Sequence, residues 1–108
     1  MLEPLDVKIA GIYGCAPVQA EGTVNGHAFY FRSRGSRWSL KVSHEPGKSC
    51  HGGDTEVWRY VEAYAPWPDA GFMPENEVRG KIVQGLARWS EWKNQERVHG
   101  FPGASLPI

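Results

Sequence analysis

The dipeptide Asn25-Gly26 lies between two segments in which apolar and polar residues alternate, Val18–Val24 and His27–Ser33. Two-residue Asn-Gly loops favour type I′ turns, because both turn residues need a positive φ, and such turns join antiparallel strands. Since successive side chains of a strand point to opposite faces, this turn also determines which residues share a face. The sequence therefore predicts a hairpin with an apolar inner face and a polar outer face.

Counting outward from the turn sorts the residues of both strands. The predicted inner-face pairs are Val24–His27, Gly22–Phe29, Ala20–Phe31 and Val18–Ser33. Upstream, Leu5–Tyr13 also alternates, and a loop at Gly14–Pro17 would add it to the sheet. The pairs predicted there are Tyr13–Val18, Gly11–Ala20 and Ile9–Gly22. Gly11, Ala20 and Gly22 would then form a small-residue patch on the inner face.

A second turn, at Arg34-Gly35, adds a strand on the other side of the hairpin. As a two-residue loop it pairs Phe31 with Trp38, which keeps the apolar residues on one face. The same register places Arg32 opposite Arg37 on the polar face. Because like charges that face each other destabilise a sheet, an external carboxylate or phosphate is a candidate neutralising partner.

The segment Thr55–Tyr64 fits two structures. Its β-branched and aromatic residues favour a fifth strand. A helix is the alternative, because Val57, Tyr60, Val61 and Tyr64 recur at helical spacing and Asp54 is a suitable cap. We predict a strand.

The clearest helix signal is Pro74–Arg97, which begins with a proline and two glutamates that suit a first helical turn. Its apolar stripe consists of Val78, Ile82, Gly85, Leu86, Trp89 and Trp92. Gly85 lowers helix stability by about 1 kcal/mol relative to alanine, so we expect it to approach the sheet closely. The small-residue patch is the expected place for this approach or, alternatively, for insertion of Trp89. The predicted fold is α+β: an antiparallel meander of four to five strands with one C-terminal helix packed on one face. It forms a single domain over residues 1–98, followed by a loose tail, 99–108.

Composition narrows the class of protein. The 12 basic and 12 acidic residues give a formal net charge of zero, which lowers the expectation of general nucleic-acid binding. The N-terminus has no basic start followed by an apolar core, and no apolar run is long enough for a bilayer. With two cysteines, the sequence predicts a cytoplasmic protein with reduced thiols and no membrane partner.

The first candidate site is the polar face of the sheet. Its residues are Glu21, Tyr30, Arg32, Arg34, Arg37 and Lys41. Guanidinium groups bind carboxylates and phosphates in a bidentate way, so this face is a candidate binding site for an anion. The alternative interpretation is a solvated face that binds no ligand. With Tyr30 as its one aromatic residue, this face has fewer rings than a stacking platform for nucleic acid uses.

The second candidate is an aromatic patch near two prolines, formed by Tyr64, Trp67, Phe72 and Met73. Exposed Trp and Tyr residues are favoured at protein-binding surfaces. The alternative is a loop that covers the edge of the core, since large aromatic side chains usually become buried.

The third candidate is a polar loop with His44, Cys50 and His51, followed by Asp54. These are zinc-ligand residue types, but adjacent Cys and His fit one ion poorly and a Cys-x-x-Cys pair is missing. No catalytic constellation is recognisable either. We therefore predict no metal, no cofactor and no catalytic residue.

The motifs Glu21-Gly22-Thr23, Phe29-Tyr30-Phe31-Arg32-Ser33-Arg34-Gly35 and Trp38-Ser39-Leu40 resemble a segment of small uncharacterised proteins from bacterial and bacteriophage genomes. Ala70–Pro74 ahead of a helix is similar as well. The resemblance carries no known activity and implies a bacterial or phage accessory protein.

The expected function is a small non-enzymatic protein-interaction module that binds a host protein or forms a homodimer. The alternative is binding of nucleic acid or another anionic ligand through the arginine-rich face. A metal protein or an enzyme ranks third.

Overall fold

The computed structural model describes residues 5–50 and 56–99, with side chains in the final helix as far as residue 95. Five strands pair in chain order as one antiparallel sheet. They are β1 (Val7–Tyr13), β2 (Val18–Val24), β3 (His27–Arg34), β4 (Arg37–Ser43) and β5 (Val57–Ala63). A short 3₁₀ helix (Asp69–Phe72) and a long helix, α1 (Glu75–His99), follow. The predicted α+β meander with one C-terminal helix is confirmed.

The hairpin of β2 and β3 has the predicted register, from Val24 opposite His27 to Val18 opposite Ser33. Asn25 and Gly26 adopt φ angles of 50° and 84°, as a type I′ turn requires. The predicted division into an apolar and a polar face follows from this register and is confirmed by the alternating burial along β3.

The turn between β3 and β4 lies one residue later than predicted. Arg34 pairs with Arg37, so the loop is Gly35-Ser36 rather than Arg34-Gly35. Gly35 has a φ of 69°, which suits the glycine at the first central position of a type II′ turn. Phe31 therefore faces Leu40 instead of Trp38. The pairing shifts by two residues, so every side chain stays on its predicted face.

The pairing of β1 with β2 contains an irregularity that the sequence did not predict. Ile9 pairs with Gly22 as expected, but the register shifts between Ile9 and Gly11, which leaves Ala10 as the extra residue of a bulge. Beyond it Tyr13 lies opposite Gln19 rather than Val18, and Gly11 faces Glu21 rather than Ala20. Ile12 consequently replaces Gly11 on the inner face, and the small-residue patch does not form.

The segment after the polar loop forms a strand, as predicted. Its inner-face residues lie opposite those of β4, in the pairs Trp38–Glu62, Leu40–Tyr60 and Val42–Trp58. The outer-face residues of β5 alternate with them and include Arg59 and Val61.

Helix α1 packs its predicted stripe against the inner face. Val78, Ile82 and Leu86 are fully buried, and each such side chain stabilises the fold by roughly 1.5–3 kcal/mol. The expected docking place was wrong, because Gly85 lies over β4. A Cβ at Gly85 would stand 2.6 Å from Leu40 Cδ2 and 3.4 Å from a ring carbon of Trp38. Beyond His99 the predicted tail lies outside the described residues.

Within the described part of the chain, no helix has the length and apolar character that crossing a bilayer requires.

Candidate functional site

The outer face of the sheet, opposite α1, concentrates positive charge on its last three strands. Arg32 lies opposite Ser39 and Arg34 opposite Arg37. The register between β4 and β5 adds a further cationic pair, Lys41 with Arg59. Because the strands are about 4.8 Å apart, these five cationic residues originate from a patch of sheet about 10 Å wide.

Four of these residues surround one open depression of about 210 Å³. We call them the arginine cluster: Arg32, Arg34, Arg37 and Arg59. Ser39, Val61 and Trp38 complete the lining. Each arginine of the cluster is exposed, so the guanidinium groups are accessible to a ligand from solvent.

The arginine cluster has no anionic partner among residues 5–50 and 56–95. The ion pairs found there join Lys8 to Asp6, His44 to Glu56 and Arg79 to Glu75, all at other places. Glu21, which the sequence placed on the same face, lies on β2 opposite Tyr30 and accepts a hydrogen bond of 3.4 Å from Tyr13. The positive charge of the cluster is therefore not neutralised by the described part of the protein.

The remaining sequence-predicted residues of this face lie next to the cluster. Tyr30 is half-buried and donates a hydrogen bond of 2.6 Å to Gln19 Oε1. Lys41 is also half-buried, between Tyr30 and Arg59 on the neighbouring strands. Tyr30 is thus fixed by β2, and Lys41 extends the cluster along β4.

The polar loop after β4 covers the other end of the outer face. Ser43 faces outward by register but is fully buried. Cys50 lies against outer-face strands, with its Sγ 3.2 Å from the Ala28 carbonyl oxygen and 3.6 Å from that of Lys41. Burial raises the pKa of the Cys50 thiol. A buried thiol held protonated acts as a packing group rather than as a nucleophile.

Among the residues that the structure describes, the metal candidates of this loop form no group of ligands. His44 Nδ1 lies 3.6 Å from a Glu56 carboxylate oxygen, and its ring packs on Trp92 at 5.3 Å. His51 and Asp54 lie outside the described residues. Over the described ranges, no three His, Cys, Asp or Glu residues are close enough to hold a metal ion.

The structure divides the aromatic patch. Trp67 and Phe72 are 77% and 59% exposed, whereas Met73 is 4% exposed and packs in the core. Tyr64 is half-buried and donates a hydrogen bond of 2.8 Å to a Glu77 carboxylate oxygen, which raises the pKa of the tyrosine. The patch therefore reduces to two exposed rings, because Met73 faces the interior just before α1 begins.

Two features of the site were not visible in the sequence. Arg59 joins the cluster only through the β4–β5 register, and the length of the polar loop does not fix that register. Trp67 lies beside the turn of Gly35, where a Cβ would stand 3.0 Å from its Cδ1 atom. For Arg59, the sequence offered one signal: it alternates with aromatic residues along the strand, which indicates that it lies on the opposite face from them.

Comparisons with models of protein families, with curated proteins and with solved structures found no match for this chain. The resemblance to small bacterial and bacteriophage proteins accordingly stays a prediction.

Proposed function

We propose that this protein binds a polyanionic ligand on the outer face of its sheet and that it contacts the phosphate groups of this ligand. The observation that supports this function is the arginine cluster, in which four guanidinium groups line one depression without an anionic partner among the described residues. Binding of an anion was the alternative expectation from the sequence, and the addition of Arg59 is the reason for ranking it first.

Without a ligand, the outer face of the sheet carries unfavourable electrostatic repulsion. A like-charge pair such as Arg34 and Arg37, placed directly opposite each other, destabilises a sheet. A phosphate that accepts two parallel hydrogen bonds from a guanidinium group removes that repulsion and gains charge-assisted bonds. The strands hold the backbone origins of all four side chains in fixed positions, so the ordering required on binding is that of the arginine side chains themselves.

The overall charge of the protein is compatible with this proposal. The formal net charge is zero, and α1 carries Glu75, Glu77 and Glu91 on exposed positions away from the outer face. Helix α1 also carries Arg79, Lys81, Arg88 and Lys93, so what distinguishes the outer face is its group of neighbouring arginines without an ion-pair partner among the described residues.

The test measures the affinity for end-labelled inorganic polyphosphate at low salt, with fluorescence anisotropy of the label as the readout. In the double variant Arg37→Ser/Arg59→Ser we expect about tenfold weaker binding, from two contacts of roughly 0.7 kcal/mol each. The matched control is Arg88→Ser, which removes an exposed arginine of α1 whose guanidinium lies over the Tyr60 ring on the inner face. Equal losses in both variants, or no binding by the unmodified protein, would contradict the proposal.

Protein binding, the leading expectation from the sequence, is the second candidate. The exposure of Trp67 and Phe72 favours it, because exposed aromatic rings are typical of contact surfaces. For self-association we expect a concentration-dependent rise in mass by sedimentation that Phe72→Ser abolishes. A monomer at all concentrations would remove the homodimer from consideration.

A further inference from the structure

The loop that carries Trp67 is bonded to the β3–β4 turn, which lies between Arg34 and Arg37 of the arginine cluster. The Tyr64 amide donates a hydrogen bond of 2.8 Å to the Ser36 carbonyl, and the Ala70 amide donates one of 3.0 Å to the Gly35 carbonyl. These two bonds anchor the loop on both sides of Trp67 to the turn that joins β3 and β4. The indole lies against Gly35, directly adjacent in the chain to Arg34 of the cluster.

Among the large apolar side chains that the structure describes, this tryptophan is nevertheless the most exposed, at 77%. Removal of so much apolar surface from water is favourable, yet the fold leaves the ring accessible. An anchored loop with an exposed ring is a preorganised contact, because little conformational freedom remains to be lost on binding.

The outer face also carries more aromatic residues than the sequence indicated. The bulge in β1 turns Tyr13 to this face, where it is 45% exposed and lies close to Glu21. Tyr30 lies two strands away from Tyr13, on β3, beside Lys41. Both tyrosines therefore share the outer face with the arginine cluster.

We infer that the polyanion is single-stranded nucleic acid, with its phosphates on the arginine cluster and one base stacked on Trp67. This inference rests on the proposed function and names the ligand class of the same face. Surfaces that bind single strands combine positive charge along the backbone with aromatic rings for the bases. An exposed tryptophan beside a cationic sheet face suits an unpaired strand, whose bases are free to stack, better than a duplex, whose bases are already stacked on each other.

The test compares two labelled probes with the same number of phosphates, a deoxythymidine oligonucleotide and its fully abasic counterpart, each about ten nucleotides long. Fluorescence anisotropy gives the affinity for each probe, and their ratio isolates the contribution of the bases. We expect the unmodified protein to bind the thymidine probe at least about fivefold more tightly, which is the lower end for one stacked base.

Variants assign the preference to Trp67. Trp67→Ala should bring the ratio of affinities close to one, while Trp67→Phe retains part of it. The control is Val83→Ser, which alters an exposed apolar residue of α1 and should leave the ratio unchanged. Because Trp67 and Val83 are both exposed, we expect each variant to fold, and circular dichroism verifies it.

The possible results separate this inference from the proposed function. If the abasic probe and polyphosphate bind as tightly as the thymidine probe, the face binds polyanions without reading bases, and the inference is overturned while the proposed function stands. A ratio that survives Trp67→Ala, or tighter binding of a duplex of the same length, also overturns the inference. If no probe binds at low salt, both fail.

Discussion

Arg34 and Arg37 lie directly opposite each other on β3 and β4, at the two ends of the Gly35-Ser36 turn. Neither has an ion-pair partner within the part of the chain that the structure describes. Repulsion across a cross-strand pair destabilises a sheet, and the neighbouring Arg32 and Arg59 add to it. The pair therefore links stability to binding: a change that relieves the repulsion should also weaken the attraction for anions.

Arg37→Glu should increase the free energy of unfolding by about 0.5 kcal/mol, because an opposite-charge pair then replaces a like-charge pair. Urea denaturation measures this change. The same variant should bind polyphosphate more weakly than the unmodified protein does. The contrasting control is Arg79→Glu, which breaks the ion pair with Glu75 on α1 and should lower stability by about 0.3 kcal/mol. A decrease in stability for Arg37→Glu would show that no repulsion exists there.

Gly85→Ala should destabilise the protein by about 1–3 kcal/mol despite the higher helix propensity of alanine. The added Cβ would stand 2.6 Å from Leu40 Cδ2, so the fully buried Leu40 side chain, α1 or β4 must shift within a packed core. Gly80→Ala, on the same helix, meets nothing within 4 Å and should stabilise by about 1 kcal/mol. Thermal denaturation should give a lower melting temperature for Gly85→Ala and a higher one for Gly80→Ala. A higher melting temperature for both variants would mean that α1 does not approach β4 at Gly85.

Gly22→Ala should lower stability by at least about 3 kcal/mol, because the new methyl group would overlap the Lys8 carbonyl oxygen of β1. Backbone cannot give way as the end of a flexible side chain can. Gly11→Ala, on the other side of the bulge, has open space around it and should be tolerated within about 0.5 kcal/mol. Urea denaturation compares the two, and similar effects would contradict the bulged register.

The thiol of Cys50 should react far more slowly with an alkylating reagent than that of Cys15, which is exposed. Burial raises the pKa of Cys50 above its ordinary value of 9.0, and the thiolate is the reactive form. Mass spectrometry of briefly labelled protein locates the modification. Equal labelling of both cysteines in the folded protein would show that the loop does not cover Cys50.

The same pKa shift predicts a decline of stability in alkaline solution. A thiol whose pKa is higher in the folded than in the unfolded state stabilises the fold fully below the unfolded pKa, near 9.0. As the pH rises from there through the higher folded pKa, the unfolded state loses its proton first and this contribution is lost. Urea midpoints measured across that interval should fall, and Cys50→Ala should make the fall less steep.

The sequence predicted the fold wherever local chemistry determines it. Asn25-Gly26 specified both the turn and the register of β2 with β3, because positive φ at two successive residues is compatible with few residue types. The β-branched residues of Val57–Ala63 correctly favoured a strand over a helix. The faces of Arg32 and Arg37 also followed, since a two-residue shift in pairing leaves the faces unchanged, whereas Arg34 was predicted in the turn and is the last residue of β3.

The remaining features depend on contacts between segments that are distant in the chain. The bulge at Ala10 depends on how closely the β1 backbone approaches Gly22, which no local pattern records. Arg59 enters the cluster through pairing across a long loop, and Trp67 reaches it through backbone bonds to the β3–β4 turn. The candidate site was thus predicted as a set of arginines, but its depression and its aromatic neighbour were not.

The most direct test of the central claim, that the arginine cluster binds phosphate groups, is the dependence of polyphosphate affinity on salt concentration. Each cation that neutralises a phosphate releases counterions, so the slope of log affinity against log salt measures the number of contacts. We predict that removal of Arg32, Arg34, Arg37 or Arg59, one at a time as Arg→Ser, makes the slope shallower by roughly 0.7–1. Arg88→Ser should leave the slope unchanged. Slopes that are the same in all five variants would contradict the account.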